Sequence, residues 1–168
     1  MGRMFEAKFI GRWLVALAAL TLALQACAPI NQDSAQSALA EGRLDDAAYD
    51  IQAALEHDPD NLTLKNLAAQ IYTQRGAKEY HNGEMIAAAA DFHRAIDYYP
   101  TYAQAYDYLG MLSFQQHDWE NAIKYGSLGA GYAGQAEPSY VKSARQNLRK
   151  VDSGGAPPKH KMAGSPDD

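Results

Sequence analysis

The sequence is poor in cysteine, in long apolar runs and in positive charge. Cys27 is the only cysteine, which excludes an intramolecular disulfide. The apolar run at residues 13–24 has 12 residues, whereas a membrane-spanning helix needs about 20. The chain has 15 Lys and Arg against 20 Asp and Glu, so it offers no broad basic patch for phosphates. Nucleic acid is therefore not an expected partner.

The residues that carry most enzyme chemistry are present but do not form a constellation. The five histidines are scattered, and His81 and His93 have no cysteine or carboxylate at metal-ligand spacing. Ser113 and Ser127 lack the sequence context of an activated nucleophile. We therefore expect no metal, no cofactor and no enzymatic activity.

The N-terminal segment has the pattern of an export signal. Three basic residues in the first 12 precede the apolar run, and small residues follow it. The run ends in Leu24-Gln25-Ala26-Cys27, which resembles the bacterial lipobox. That resemblance implies cleavage after residue 26 and acylation of Cys27, with palmitate among the expected lipids. The alternative is an ordinary secretory signal that leaves Cys27 as a free terminal thiol.

The lipobox resemblance also implies a location. Ala28 follows the cysteine, where Asp commonly retains such proteins at the inner membrane. The resemblance therefore implies an anchor in the bacterial outer membrane, with the protein on the periplasmic face. Removal of residues 1–26 leaves a mature chain of net charge −7. Several acyl chains on one cysteine would make membrane attachment stable.

The remaining chain contains an internal repeat. Residues 41–61 align with residues 82–102, and a third copy begins near residue 117. The recurring positions are the small residues Gly76 and Gly110 in the first helices, Ala47, Ala88 and Ala122 in the second helices, and Pro59 and Pro100 at the ends of two repeats. This pattern resembles the tetratricopeptide repeat, or TPR. The resemblance implies an all-α, short TPR-like solenoid of about three helix pairs plus a C-terminal capping helix.

Several details depart from an ideal repeat. Pro59 and Pro100 are 41 residues apart, whereas the usual period is 34, so we predict one long first helix over residues 62–82. Asp33 and Thr101 each have glutamine three residues later, which predicts capping boxes. Clustered glycines predict that the second helix of the third repeat ends near Ala130. The predicted organisation is a signal peptide (1–26), a lipidated cysteine and tether (27–32), a TPR domain (33–151) that ends in a helix over 139–151, and a disordered tail (152–168).

The resemblance implies that first helices line a concave groove that binds a protein partner. By repeat alignment, the predicted groove residues are Gln70, Thr73, Ala77, Tyr80, His81, Gln104, Asp107, Met111, Phe114 and Gln115. Each of these side chains has an alternative role in packing against a neighbouring helix. Gln32, Thr73 and Asp107 occupy places where lysines would clamp a terminal carboxylate, so that clamp is not predicted.

The expected function is that of a protein-interaction scaffold for assembly of a pilus or secretion machine. An adaptor for cell-wall enzymes is the alternative within the same class, and a small-ligand carrier is the alternative outside it. The first helix has only small residues and Leu39 as apolar side chains, so few large side chains cover this end of the repeat array. We expect a partner, a second copy or the membrane-proximal surface to meet that end.

Overall fold

The computed structural model describes residues 32–154, and this part of the chain contains seven α-helices and no strand. The predicted all-α class is confirmed. Of these helices, none has the combination of length and apolar character needed to cross a membrane. In chain order the helices are α1 (Gln32–Ala40), α2 (Leu44–His57), α3 (Leu62–Asn82), α4 (Met85–Tyr98), α5 (Ala103–Gln115), α6 (Trp119–Ala133) and α7 (Ser139–Asp152).

The helices pack as three consecutive hairpins and a cap. Short turns join α1 to α2, α3 to α4 and α5 to α6, and the two helices of each pair contact each other. Each second helix also contacts the first helix of the next pair, and α7 packs on α6 and α5. The predicted TPR-like solenoid with a capping helix is therefore confirmed.

Small residues sit where two helices approach closely, as the repeat alignment predicts. A Cβ atom at Gly76 would lie 2.8 Å from the Phe92 ring and 3.1 Å from the Ala88 carbonyl oxygen. A Cβ atom at Gly110 would lie 2.9 Å from the backbone nitrogen of Gly126. Any larger side chain at either glycine would push the helices of its pair apart.

The predicted long helix is present as α3, which spans Leu62–Asn82. Its first turn is capped by the Asn61 side chain, which accepts hydrogen bonds from the backbone nitrogens of Thr63 (3.0 Å) and Leu64 (3.2 Å). Its C-terminus is closed by Gly83 at φ 84°, a left-handed conformation that glycine adopts without strain. The extra residues extend one helix and add no separate element.

Helix α6 is longer than the sequence predicts. It continues past Ala130 to Ala133 and ends at Gly134, which is left-handed at φ 63°. The two glycines in its middle are packed: a Cβ atom at Gly126 would contact the Val141 and Tyr140 side chains, and one at Gly129 would lie 3.1 Å from a backbone carbonyl of α5. Close packing offsets the low helix propensity on which the shorter prediction relied.

The predicted capping boxes are wrong in detail. Asp33 lies inside the first turn of α1 rather than before it, where its charge still favours the helix N-terminus. Helix α5 has Tyr102, not Thr101, as its N-cap residue, and no side chain caps it. The Tyr106 hydroxyl instead donates a hydrogen bond of 2.9 Å to the Pro100 carbonyl and fixes this turn.

The predicted signal peptide, Cys27 and its tether up to residue 31, and the tail from residue 155 lie outside the described residues.

Candidate protein-binding groove

The contacts between helices show which side of the solenoid is concave. The first helices α1, α3 and α5 contact one another in sequence. Within residues 32–154, the second helices α2, α4 and α6 make no contacts with one another. Because the first helices lie closer together, they form the inner face of the curve, and the second helices form the outer face.

The inner face carries a row of side chains that is rich in Asn and Gln. Exposed or half-buried positions recur along α3 at 63, 66, 70, 74, 77 and 81, a spacing that places them on one side of a helix. We call this surface, with its neighbours on α1 and α5, the amide row. Its members are Gln32, Gln36, Thr63, Asn66, Gln70, Gln74, Ala77, His81, Gln104, Met111 and Gln115. These members include no lysine or arginine, and the one carboxylate on the same side of α5, Asp107, is half-buried and lies between Gln104 and Met111.

Six of the predicted groove residues lie on the amide row, and the sequence alignment missed others. Gln70, Ala77, His81, Gln104, Met111 and Gln115 are the predicted members. Asn66 and Gln74 share the exposed side of α3 with them but were not predicted. Their helical spacing from Gln70 was the available signal. Whether any of these side chains binds a partner stays a prediction.

One end of the amide row opens into a cavity of about 370 Å³. Gln36 of α1 and Asn66 and Gln70 of α3 contribute amide groups to its wall. Leu62, which is 71% exposed, and Tyr99 contribute apolar surface. An exposed leucine beside amides is suited to a segment that has both apolar side chains and a polar backbone.

Tyr80 joins α3 to α5 at the other end of the row. Its hydroxyl accepts a hydrogen bond from Nε2 of Gln115, and burial raises the pKa of this phenol. The Tyr80 ring lies edge-on to Tyr108, at a centroid distance of 6.1 Å. Tyr108 in turn stacks on Phe92 at 4.9 Å. These three rings pack against one another below this end of the groove.

Three other predicted groove residues have internal roles. Thr73 is only 1% exposed and lies beneath the surface. Phe114 packs edge-on against Trp119 at 5.3 Å and also faces Tyr140 at 6.0 Å. Asp107 accepts a hydrogen bond of 2.9 Å from the Tyr140 hydroxyl. The packing alternative therefore describes these three side chains well.

Asp107 and Gln104 also border a second cavity, of about 270 Å³, where α5, α6 and the turn before α7 meet. Burial, together with the hydrogen bond to Asp107, raises the pKa of Tyr140 and keeps its hydroxyl protonated. Ala133 and Pro138 complete much of the wall with small apolar groups. The cavity lies beside the amide row and extends the groove towards the C-terminal end.

A buried ion network holds the second hairpin together, and the sequence analysis missed it. Asp91 has only 3% of its side chain exposed and is bound by Arg75 and, at 3.2 Å, by Arg94. Both guanidinium groups also lie over the Tyr72 ring, at 5.3 Å and 5.7 Å. Arg75 and Asp91 are 16 residues apart and lie on different helices, so their spacing along the sequence does not predict a contact between them.

No group of three or more metal-ligating side chains occurs between residues 32 and 154.

Comparison with known proteins gives structural neighbours but no family. No family model matches the chain, and no curated protein matches its sequence. The Sgt2 TPR domain from Aspergillus fumigatus is 20% identical, with a TM-score of 0.45 over 80% of this chain and 87% of that one. The MamA protein is 16% identical, with a TM-score of 0.37 over 80% of this chain and 95% of that one.

Proposed function

We propose that this chain is a protein-binding scaffold, and that a segment of its partner lies along the amide row. The single observation that carries the proposal is the amide row, an inner face rich in Asn and Gln whose members include no lysine, arginine or carboxylate. Asn and Gln side chains both donate and accept hydrogen bonds, so they can pair with an exposed peptide backbone. The scaffold has no enzymatic role in this proposal.

The chemistry of the row defines the partner segment. A segment with a terminal carboxylate or an acidic run would find no lysine or arginine in the row. A strongly basic segment would find only the Asp107 carboxylate, which already accepts a hydrogen bond from the Tyr140 hydroxyl. We therefore propose an uncharged segment whose apolar side chains enter the cavity beside Leu62 and Tyr99. Because no ion pairs form, its affinity should change little with salt.

We further propose that the scaffold is a lipoprotein at the periplasmic face of the outer membrane, in the assembly of a pilus or secretion machine. The support is the lipobox resemblance at Cys27 and the position of α1, whose first residue is only five positions later. A scaffold so close to its anchor would hold its partner near the membrane. Labelled palmitate should enter the wild-type chain and not Cys27→Ser, and equal labelling of both would overturn the anchor.

Lysine substitutions in the amide row test whether the scaffold binds its partner through this surface. Gln70→Lys and Met111→Lys should each reduce recovery of the partner at least tenfold, because the new charge would be desolvated against an uncharged segment. Ala90→Lys, on the exposed side of the second helix α4, is the control and should leave recovery unchanged. Equal recovery with all three variants would contradict a role for the groove. Identification of the recovered protein as a cell-wall enzyme would favour the adaptor alternative.

A further inference from the structure

The charges of this solenoid are separated between its two ends. Residues 32–61, which form the first hairpin and the following turn, contain eight carboxylates and one basic residue, Arg43. Arg43 is already paired with Glu41 (2.8 Å) and Asp46 (2.5 Å). Helix α7, at the opposite end, has four basic residues and one acidic residue. The molecule is therefore acidic at its first hairpin and basic at its cap.

The cap presents an exposed basic face. Lys142, Gln146 and Arg149 are exposed and follow one another at i, i+4 and i+7, so they share one side of α7. Val141 and Ala144 are fully buried on the side that packs against the solenoid. Neither Lys142 nor Arg149 forms an ion pair with another of the described residues, whereas Arg145 is held by Glu137 at 2.5 Å. We call the exposed residues Lys142, Gln146 and Arg149 the basic face.

The first hairpin presents a complementary acidic face on α2. Asp46, Tyr49 and Glu56 are exposed and lie along one side of the helix. The Tyr49 ring is 66% exposed, an unusual position for a large aromatic side chain. A tyrosine flanked by carboxylates can stack on an arginine while the carboxylates pair with lysine and arginine. We call Asp46, Tyr49 and Glu56 the acidic face.

We propose that a second copy of this chain docks on the cap, so that the basic face of one molecule meets the acidic face of the next. The two faces belong to opposite ends of a row of hairpins that contact only their neighbours, so they cannot meet within one molecule. Contact between different surfaces of identical chains is head-to-tail, and it can continue from copy to copy. This inference is independent of the groove.

The size of the faces predicts a weak association. Helix α7 has 14 residues and is therefore about 21 Å long, so one exposed side covers less area than a stable interface needs. The self-association should be visible only at high protein concentration and should disappear at high salt. Attachment of many copies to one membrane would raise their local concentration and favour the contact.

Charge reversal provides the test, on the full chain in a density-matched non-ionic detergent. The average mass from sedimentation equilibrium should rise with concentration at 50 mM salt and not at 500 mM salt. Lys142→Glu/Arg149→Glu and Asp46→Lys/Glu56→Lys should each abolish this rise. A mixture of the two variants should restore it, because each chain then offers opposite charges to the other.

Controls separate this contact from the alternatives. Lys78→Glu/Lys124→Glu changes the net charge equally on the body of the solenoid and should leave the association intact. Equal thermal unfolding temperatures would show that the variants fold. A constant monomer mass at all concentrations, or no recovery in the mixture, would overturn the proposal. It would also be overturned if the basic face instead bound vesicles that contain phosphatidylglycerol while the protein stayed monomeric.

Discussion

Arg75 on α3 donates two hydrogen bonds to Asp91 on α4, one of 2.6 Å from Nε to Oδ2 and one of 2.9 Å from Nη2 to Oδ1. The bonds to Asp91 raise the pKa of this guanidinium, and burial opposes them only in part. The aspartate is almost completely buried, and these hydrogen bonds provide partners for both of its oxygens. The pair fixes the second hairpin, whose first helix carries the middle of the amide row.

Asp91→Asn should therefore destabilise the fold. The substitution removes the buried carboxylate that binds Arg75 through two hydrogen bonds and leaves only the exposed Asp45 as its counter-charge, so it should lower the free energy of unfolding by about 2 kcal/mol. Urea denaturation measures this loss. Asp97→Asn, at an exposed position of the same helix, should change the value by less than about 0.5 kcal/mol. Equal effects at the two positions would mean that the ion network adds no stability.

Two glycines in α6 should respond oppositely to alanine. A Cβ atom at Gly126 would collide with Val141 and with Tyr140, so Gly126→Ala should cost about 1–3 kcal/mol by pushing α7 away. A Cβ atom at Gly131 meets nothing within 4 Å, so Gly131→Ala should stabilise the helix by about 0.5–1 kcal/mol. Thermal unfolding should separate the two variants, and a shift in the same direction would contradict the packing described for the cap.

The repeat pattern made these helices predictable, because their small and large residues recur at fixed places. Gly76 and Ala88 could be assigned from alignment alone, and the structure gives them the expected close contacts. Contacts between distant positions could not be assigned. The Arg75–Asp91 pair and the Tyr140 hydroxyl at Asp107 join different helices, and their geometry exists only after the helices pack.

The groove was predictable to a similar degree. Alignment identified Gln70 and Met111 at accessible positions, because one face of a repeated helix can be counted along the sequence. It could not distinguish Phe114, which faces Trp119 and Tyr140, from its exposed neighbour Gln115. That distinction depends on the capping helix, which lies outside the repeat. A Phe114→Ala variant would therefore disturb packing as well as any partner.

The turn before the cap should carry a pH dependence. Arg145 and Ser127 bind Glu137 and lower its pKa from 4.5 to about 2. A carboxyl with a lowered folded-state pKa adds stability above its unfolded pKa and loses it as pH falls through the folded value. The unfolding temperature should therefore exceed that of Glu137→Gln at pH 6, and the difference should shrink between pH 4.5 and pH 2. Glu56→Gln controls for removal of a surface charge. A difference in unfolding temperature that stays constant down to pH 2 would contradict a stabilising interaction of Glu137 with Arg145 and Ser127.

Photocrosslinking along the two faces of the solenoid tests the central claim most directly. A photoreactive amino acid placed at Gln70 or Met111 would lie on the amide row, and one placed at Ala90 would lie on the exposed side of α4. In cells, we predict the same crosslinked partner from both groove positions, with a yield at least tenfold above that from Ala90. Capture of that partner equally or better from Ala90 would contradict a scaffold that binds through its amide-lined inner face.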